Sequence, residues 1–428
     1  MAKDSDLNLY NKTIYQIFPR QYSSTHDFKG VEKDLQRIKD LGSDIVYLLP
    51  IHPIGQVQKK GELGCPYSIK DYSKILDELG SEKDLKSLIN KVHELGMKII
   101  IDVVYNHTSR DSYLLQTHPE FFVHDENNSI VNKVAEWSDV ADLNYENKDL
   151  HKVLISYLVK WTKMGIDGFR CDVCSLVPFA FWKKARKRLQ KINPDLIMLG
   201  ETVDKGFVKW LKSKGYPAMS DNKSLEVFDV IYDYDIRPYQ EKFLKGEISV
   251  NKYLIQVSKQ LKAIKGIKAR CICNHDLPRV SSYKDERSFV RQATSLTYFI
   301  KGTNFVYAGD ETASTHLPSL FDYDEVDWSE YNKYNMVDLL KTLIALKKNV
   351  IFKDGNMEIM KSPTNVAIIK YTLNSSTCYG IFNFTSKRKK VKLDISSLNV
   401  TNIITNQNVE ISDSLIIKDE PIIFMLNK

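Results

Sequence analysis

Apolar residues follow two alternating patterns along most of the chain. Short continuous apolar runs, such as Ile99 to Val104, are typical of strands covered on both faces, as in parallel sheets. The stretch between Ser81, a predicted N-cap, and Gly96, a predicted stop, has helical spacing instead. Its apolar positions are Leu85, Leu88, Ile89, Val92 and Leu95. This alternation predicts strand–helix units repeated within one domain.

Eight strands are predicted before residue 348. They are Thr13 to Phe18, Asp44 to Leu49, Met97 to Val104, Ile166 to Cys171, Leu196 to Leu199, Phe228 to Tyr232, Ala269 to Cys273 and Asn304 to Tyr307. Eight alternating units predict an α/β fold, a (β/α)8 TIM barrel, rather than a doubly wound sheet. The barrel is assigned to residues 1–107 and 145–348. A short inserted domain, residues 108–144, separates strand three from helix three.

The helical period disappears beyond Lys348, where short β-type runs alternate with Asn, Ser, Lys and Asp. The predicted strands are Val366 to Tyr371, Cys378 to Phe384, Lys390 to Leu393, Ile403 to Ile404, Ser414 to Ile417 and Ile422 to Leu426. Residues 349–428 are therefore predicted to form a separate C-terminal antiparallel β domain, assigned as a β-sandwich.

Composition excludes several classes of protein. The chain has 428 residues, is 43% hydrophobic and carries a net charge of +7. Its 61 basic residues are interleaved with 54 acids, which argues against a nucleic-acid partner. The N-terminus lacks the apolar core of a signal peptide, and no run of 18 apolar residues occurs. We therefore expect a cytoplasmic protein with no membrane partner.

The cysteines form two closely spaced pairs, Cys171 with Cys174 and Cys271 with Cys273. Such spacing raises the question of a zinc site. Both pairs flank the ends of predicted barrel strands, where adjacent side chains point to opposite faces. We interpret them as buried free thiols, and no metal site is assigned.

The fourth predicted strand ends in an Arg-x-Asp pair, Arg170 and Asp172. Side chains repeat every second residue in a strand, so both lie on one face. An arginine this close is expected to lower the pKa of Asp172 and keep it ionised, as suits a carboxylate nucleophile. An isolated pair of this kind is more often a structural ion pair. The residues at the other strand ends therefore decide between a structural and a catalytic role.

Other polar groups follow the strands at the end where barrel enzymes carry their active sites. They are Asp102, Asn106 and His107 after strand three, Glu201 after strand five, and Asn274, His275 and Asp276 after strand seven. Charged groups are rarely buried without partners, so this convergence is hard to explain by packing. The set predicts an active site.

The segments DVVYNH, GFRCDV, GET and NHD, in this order, resemble the four barrel motifs of the α-amylase family of glycoside hydrolases. IYQIFPRQY, GCPYSIKDY, ADLNY and YAGDE extend the resemblance over essentially the whole chain. It implies that Asp172 is the nucleophile, Glu201 the general acid/base and Asp276 the third carboxylate. Retention of configuration requires one ionised and one protonated carboxyl group about 5 to 5.5 Å apart. Neighbouring carboxylates should raise the pKa of Glu201.

The same resemblance implies the residues that bind the sugar. His107 and His275 would donate to hydroxyl groups, and Tyr67 would stack on the apolar ring face. Asp102 would brace Arg170.

Two departures from the family pattern concern the subsites and the metal. Many starch-cleaving members carry a Lys-His pair where this chain has Cys174, Ser175 and Leu176, so the acceptor subsites are expected to differ from theirs.

Calcium-dependent relatives bind the ion through an asparagine like Asn106 and an aspartate at the position where this chain has Asn144. Losing that charge weakens a calcium site. We expect no cofactor for the chemistry, with a weak structural calcium site as the alternative.

The resemblance implies a retaining α-glucan hydrolase that cleaves α-1,4-glucosidic bonds in maltodextrins or starch. Transglycosylation follows when a sugar replaces water, and the expected partner is an α-glucan oligosaccharide. Val173, next to the nucleophile, also occurs in relatives that cleave α-1,6 links. The alternatives are an α-1,6-acting glucosidase, a sucrose- or trehalose-processing member, and a non-catalytic glycan-binding barrel, which the three carboxylates oppose. The sequence does not indicate an oligomeric state.

Overall fold

The computed structural model describes residues 2, 4–329, 335–385, 387–393, 395, 398–412 and 414–427. Residues 1, 3 and 330–334, in the range assigned to the barrel, lie outside the described residues. So do residues 386, 394, 396, 397, 413 and 428, in the range assigned to the β domain.

Eight of the first ten strands close into a parallel barrel. In chain order the ten are β1 (Thr13–Ile17), β2 (Ile45–Leu48), β3 (Lys98–Val103), β4 (His107–Ser109), β5 (Val140–Asp142), β6 (Gly168–Cys171), β7 (Ile197–Gly200), β8 (Val230–Tyr232), β9 (Ile267–Arg270) and β10 (Thr303–Tyr307). The order around the barrel is β1-β10-β9-β8-β7-β6-β3-β2. The TIM barrel and its eight predicted strands are confirmed, with small shifts at strand ends.

Helices lie between the barrel strands and follow the last of them. They are α1 (Pro19–Tyr22), α2 (Phe28–Asp40), α3 (Glu82–Glu94), α4 (Tyr113–Thr117), α5 (Lys148–Met164), α6 (Phe179–Leu189), α7 (Lys205–Ser213), α8 (Asp221–Ser224), α9 (Arg237–Leu244), α10 (Val250–Ala263), α11 (Val280–Tyr283), α12 (Arg287–Phe299), α13 (Val337–Lys347) and α14 (Ile351–Asp354). Ser81 caps α3 in a capping box with Asp84, as the sequence predicts. No helix within the described residues is long and apolar enough to cross a bilayer.

The strands are apolar throughout because both of their faces are buried. Alternate residues such as Ile14, Tyr47 and Leu199 fill the barrel interior. The intervening residues, such as Tyr15 and Val46, pack outward in the larger core that includes the helices. Several buried polar side chains, among them Asp102 and Arg170, lie near the carboxyl ends of their strands.

The segment between β3 and α5 carries a small antiparallel ribbon. β4 pairs with β5, and His107 lies opposite Asp142 in the register. The rest of the predicted inserted domain, including α4, lies between these two strands. The ribbon fixes His107 directly beyond the end of β3.

The C-terminal region is antiparallel, as predicted. Its strands are β11 (Asn356–Ile359), β12 (Val366–Leu373), β13 (Ser376–Asn383), β14 (Lys389–Val391), β15 (Leu398–Asn402), β16 (Gln407–Ile411), β17 (Leu415–Ile417) and β18 (Ile422–Asn427). They form a four-stranded sheet, β11-β12-β13-β18, and two ribbons, β14-β17 and β15-β16.

One predicted strand in this region is wrong, and three strands, β11, β15 and β16, were not predicted. Ile403 and Ile404 lie in the turn between β15 and β16. The Asn402 side chain accepts a hydrogen bond from the backbone N–H of Ile404 (3.1 Å), and Asn406 has a φ of 55°. These are turn features. Each of the three unpredicted strands has only two apolar residues, which is too few to stand out from the polar segments around them.

Candidate active site

Arg170 binds three carboxylates at the end of β6. Its Nη1 donates to Oδ1 of Asp172 (2.8 Å) and to both oxygens of Asp102 (3.1 Å each). Its Nη2 lies 2.8 Å from Oε1 of Glu201, in an ion pair too bent for a hydrogen bond. Arg170 and Asp102 are fully buried. The expected contacts of Arg170 with Asp172 and with Asp102 are therefore present, and Glu201 adds a third.

Sharing the guanidinium changes the expected electrostatics. Burial raises the pKa of Asp172, the charge of Glu201 raises it further, and Arg170 opposes both without outweighing them. Arg170 therefore lowers the pKa of Asp172 as expected, but the expectation that this pKa is lowered overall is wrong. Burial also raises the pKa of Glu201, and Asp276 adds to the rise, in the expected direction. Two such neighbouring groups favour one proton shared between them.

Val173 links the nucleophile position to Glu201. Its backbone N–H donates to Oε2 of Glu201 (2.8 Å). Its φ of 32° and ψ of 44° lie in the left-handed region, which is unusual for a β-branched residue. Both oxygens of Glu201 thus have a fixed partner, one on Arg170 and one on this strained turn.

Asp276 follows β9 and is the most accessible of the three candidate catalytic carboxylates. Its side chain is 42% exposed, against 10% for Asp172 and 8% for Glu201. Its Oδ2 lies 3.0 Å from Nε2 of His275. Burial alone would raise the pKa of Asp276, but His275 and Arg170 outweigh it and lower the pKa. Asp276 is therefore presented as a carboxylate that a ligand can reach.

His275 and Tyr67 hold each other in place. Gln16 Nε2 donates to Nδ1 of His275 (2.7 Å), which places the ring proton on Nε2. Tyr67 Oη lies 2.6 Å from that Nε2, and the two rings stack with centroids 5.4 Å apart. Tyr67 Oη also donates to Oδ2 of Asp102 (2.9 Å), as does Tyr47 Oη (2.5 Å). The half-exposed Tyr67 ring is therefore rigidly placed.

His107 lies at the rim formed by β4. Burial lowers its pKa to about 4, so its imidazole is neutral at pH 7. Its Nδ1 accepts from Nδ2 of Asn106 (3.1 Å), which leaves the proton on Nε2. The Trp137 ring lies 5.4 Å from the His107 ring. The rim thus combines a neutral imidazole with an indole.

Seven of the eight predicted site residues are joined by these contacts, and a hydrogen bond with the Tyr67 backbone links His107 to them. The catalytic and binding roles of all eight stay predictions. Sequence reasoning missed Gln16, Tyr47 and Trp137. A buried polar residue inside an apolar strand, as Gln16 is in β1, was the available signal. Trp137 stands in an irregular segment whose path the sequence does not define.

The structure corrects the position assigned to Asn144. Asn144 Oδ1 accepts from the backbone N–H of Glu146 (3.1 Å) in the turn before α5. Asp142 lies beside Asn106 instead, with Oδ1 3.5 Å from Asn106 Nδ2. The register of β4 and β5 accounts for this placement. The acidic residue beside Asn106 is therefore Asp142, and Asn144 is not part of this cluster.

The residues that follow the nucleophile position turn inward. Cys174, Ser175 and Leu176 form one 3₁₀ turn, and all three are buried. The buried thiols predicted at Cys171, Cys174, Cys271 and Cys273 are confirmed as free cysteines. Cys273 donates to Oδ1 of Asp310 (2.9 Å). These side chains therefore belong to the packing beneath the site.

Comparison with known proteins places the chain in a family. Residues 16–129 and 124–356 match the family described as "Alpha amylase, catalytic domain", and residues 358–424 match "Bacterial Alpha amylase C-terminal domain". An α-amylase structure from Lactobacillus plantarum is 35% identical, with a TM-score of 0.93, and the likeness covers 98% of this chain and 100% of that one. The noncanonic maltogenic α-amylase AmyB from Thermotoga neapolitana is 29% identical, with a TM-score of 0.88 over the same shares.

A further relative is the probable oligo-1,6-glucosidase 3 of Bacillus subtilis (strain 168). It is 25% identical over 398 residues, which is 73% of this chain and 67% of the relative. The matches to the catalytic and C-terminal families cover both parts of the fold. The chain is an enzyme of the α-amylase family of glycoside hydrolases.

Proposed function

We propose that the protein is a retaining α-glucan hydrolase that cleaves α-1,4-glucosidic bonds in maltodextrins or starch fragments. Sugars that replace water as the acceptor would lead to transglycosylation. The observation that carries the proposal is the contact of one guanidinium, that of Arg170, with both Asp172 and Glu201 at 2.8 Å. A guanidinium in contact with both groups holds them near each other, and a retaining mechanism needs its two carboxyl groups about 5 to 5.5 Å apart.

In the first step, an oxygen of Asp172 attacks the anomeric carbon while Glu201 transfers its proton to the departing glycosidic oxygen. The C–O bond to the leaving sugar breaks, and a glycosyl ester forms on Asp172. The well-aligned hydrogen bond from Arg170 favours the anion on Asp172. The shared proton then resides on Glu201, where the reaction needs it.

In the second step, Glu201 removes a proton from water, and the resulting oxygen attacks the anomeric carbon. The ester bond to Asp172 breaks, and Glu201 regains its proton. Two inversions leave the product with the α configuration of the substrate. A sugar hydroxyl in place of water would give the transglycosylation product by the same route.

The remaining residues suit a sugar ring. Tyr67 offers a fixed aromatic face, and aromatic rings pack well on apolar surfaces. His107 is neutral at pH 7 and can donate from Nε2 to a hydroxyl group. The exposed carboxylate of Asp276 can accept from hydroxyl groups on the same ring. Hydrogen bonds of this kind that strengthen in the transition state would assist distortion of the ring.

Bond preference rests on the similarity to named enzymes and on one residue. The two amylases at 35% and 29% identity resemble this chain over nearly its whole length, which favours α-1,4 cleavage. An α-1,6-acting glucosidase is the second candidate. The oligo-1,6-glucosidase of Bacillus subtilis, at 25% identity, and Val173 next to the nucleophile position favour it.

Product analysis with two substrates tests the proposal. Maltoheptaose and isomaltotriose would be incubated separately with the native enzyme and with Asp172→Asn, and anomers would be followed by NMR at early times. We expect short α-anomeric maltooligosaccharides from maltoheptaose, little product from isomaltotriose, and almost no product from Asp172→Asn. Asp149→Asn on the surface of α5 is the matched control and should resemble the native enzyme.

The other outcomes separate the alternatives. Cleavage of isomaltotriose alone would support the α-1,6 candidate. Initial β-anomers, or full activity of Asp172→Asn, would contradict the retaining mechanism.

A further inference from the structure

A lysine side chain is enclosed behind the rim of the active site. Lys133 lies between β4 and β5, and only 12% of its side chain is exposed. Its Nζ donates to Oδ1 of Asn106 (3.1 Å) and lies 3.9 Å from Oδ2 of Asp142. Its backbone N–H donates to the same Oδ2 (2.7 Å). Since Asn106 and Asp142 are both fully buried, the lysine completes a polar cluster with little access to water.

This cluster is where the resemblance places calcium in calcium-dependent relatives, through an asparagine like Asn106. A calcium ion takes about six to eight oxygen ligands at about 2.3–2.6 Å. Here Oδ1 of Asn106 and Oδ2 of Asp142 already accept hydrogen bonds from Lys133. The ammonium group stands beside the oxygens that an ion would need. The residues around Asn106 therefore do not fit calcium.

We propose that the ammonium group of Lys133 replaces a structural divalent cation and positions His107. Asn106 is the link, because its Oδ1 accepts from Lys133 while its Nδ2 donates to Nδ1 of His107 (3.1 Å). An amide has one oxygen and one nitrogen end, so holding the oxygen on Lys133 turns the nitrogen toward His107. The imidazole then keeps its proton on Nε2.

The charge of Lys133 also fixes the ribbon that carries His107. Asp142 lies opposite His107 in the β4–β5 register, and Lys133 contacts Asp142 through both its backbone and its side chain. The same segment continues to Trp137, whose ring lies 5.4 Å from that of His107. One enclosed cation thus determines the position of both rim groups.

Removing the lysine should open the cluster to a metal ion. The protein would be treated with EDTA, and CaCl2 would then be titrated by calorimetry into the native enzyme, Lys133→Ala and Lys133→Ala/Asp142→Asn. We expect calcium to bind Lys133→Ala at one site, while the native enzyme and the double variant lack that site. The thermal unfolding temperature of Lys133→Ala should rise when calcium is added, whereas the unfolding temperature of the native enzyme should not change.

Kinetics with maltoheptaose provide a second readout. Loss of a residue that holds a binding side chain in orientation through a hydrogen bond typically costs about 10- to 100-fold in activity. We expect a loss of this size in kcat/KM for Lys133→Met, which has similar length and no charge, and partial recovery of Lys133→Ala by calcium. Lys152→Met on the surface of α5 is the control, because Lys152 pairs with exposed Asp149 (2.8 Å) and should keep native activity.

Three results would overturn the proposal. They are loss of native activity in EDTA with recovery in calcium, native kcat/KM in Lys133→Met, and equal calcium binding by the native enzyme and Lys133→Ala. The kinetic readouts rest on the proposed function, whereas calorimetry and thermal unfolding do not. A different substrate would therefore leave the calcium result intact.

Discussion

The backbone N–H of Val173 donates to Oε2 of Glu201 across 2.8 Å, from a residue in the left-handed conformation. This contact couples the turn after β6 to the proposed acid/base at the end of β7. Because the donor is a backbone group, the contact survives any substitution at position 173 that keeps the turn. The side chain can therefore be changed to test strain without removing the hydrogen bond.

Val173→Gly should be more stable than Val173→Ala. Both remove the branched side chain, but only glycine adopts a φ of 32° without strain, which costs other residues about 1 kcal/mol or more. We expect a difference of about 1 kcal/mol in the free energy of unfolding, measured in urea. The same pair at Ser156, an exposed position within α5, should show the opposite order, since glycine destabilises helices. Equal stability of the two Val173 variants would show that the turn is unstrained.

Glu201→Gln should remove proton transfer while leaving the nucleophile in place. Glutamine can still accept from Val173, and general acid–base catalysis contributes about 10²- to 10⁴-fold to the rate. We expect a loss of this size with maltooligosaccharides. An aryl α-glucoside with an acidic phenol needs no proton to leave, so its first step should be affected far less.

The second step still requires a base, so the glycosyl ester should accumulate in Glu201→Gln. Mass spectrometry of the quenched enzyme should find the added sugar on the peptide that contains Asp172. Asp172→Asn treated in the same way is the control and should carry none. A sugar on any other residue would assign the nucleophile elsewhere.

The sequence predicted the barrel well because strand burial on both faces leaves a strong apolar signal, as in Ile99 to Val104. It also placed Asp172, Glu201 and Asp276 together, since strand ends meet at one face. It could not show that Arg170 divides its charge among three carboxylates, because the contact with Glu201 joins different strands. Nor could it identify Lys133, which reaches Asn106 through a ribbon whose register only the fold determines.

Asp276→Asn should move the alkaline limb of the pH profile to lower pH. The charge of Asp276 is one cause of the raised pKa of Glu201, so removing it lowers that pKa. Glu201 then loses its catalytic proton at a lower pH, and kcat/KM declines earlier as pH rises. The measurement uses the residual activity on maltotriose. A substrate with an acidic leaving group needs no proton from Glu201, so its rate would not show the alkaline limb. Asp149→Asn should keep the native profile, and an alkaline limb that stays in place in Asp276→Asn would count against this coupling.

The packing of the C-terminal sheet on the barrel gives the last prediction. A Cβ at Gly380 in β13 would lie 2.7 Å from Cε1 of Phe299 at the end of α12. Phe299 is enclosed by Phe352, Tyr371 and Phe382, with ring centroids 5.3 to 5.7 Å away, so it has little room to move.

Gly380→Ala should therefore destabilise the protein by about 1 to 3 kcal/mol, the usual cost of overpacking. The cause can be assigned by a double-mutant cycle in urea. Phe299→Leu removes the ring that the new methyl group would meet, so Gly380→Ala should cost less in the Phe299→Leu background than in the native one. An equal cost in both backgrounds would mean that the new methyl group clashes with atoms other than those of Phe299. The expected coupling would show that this glycine permits the close approach of the β domain to α12.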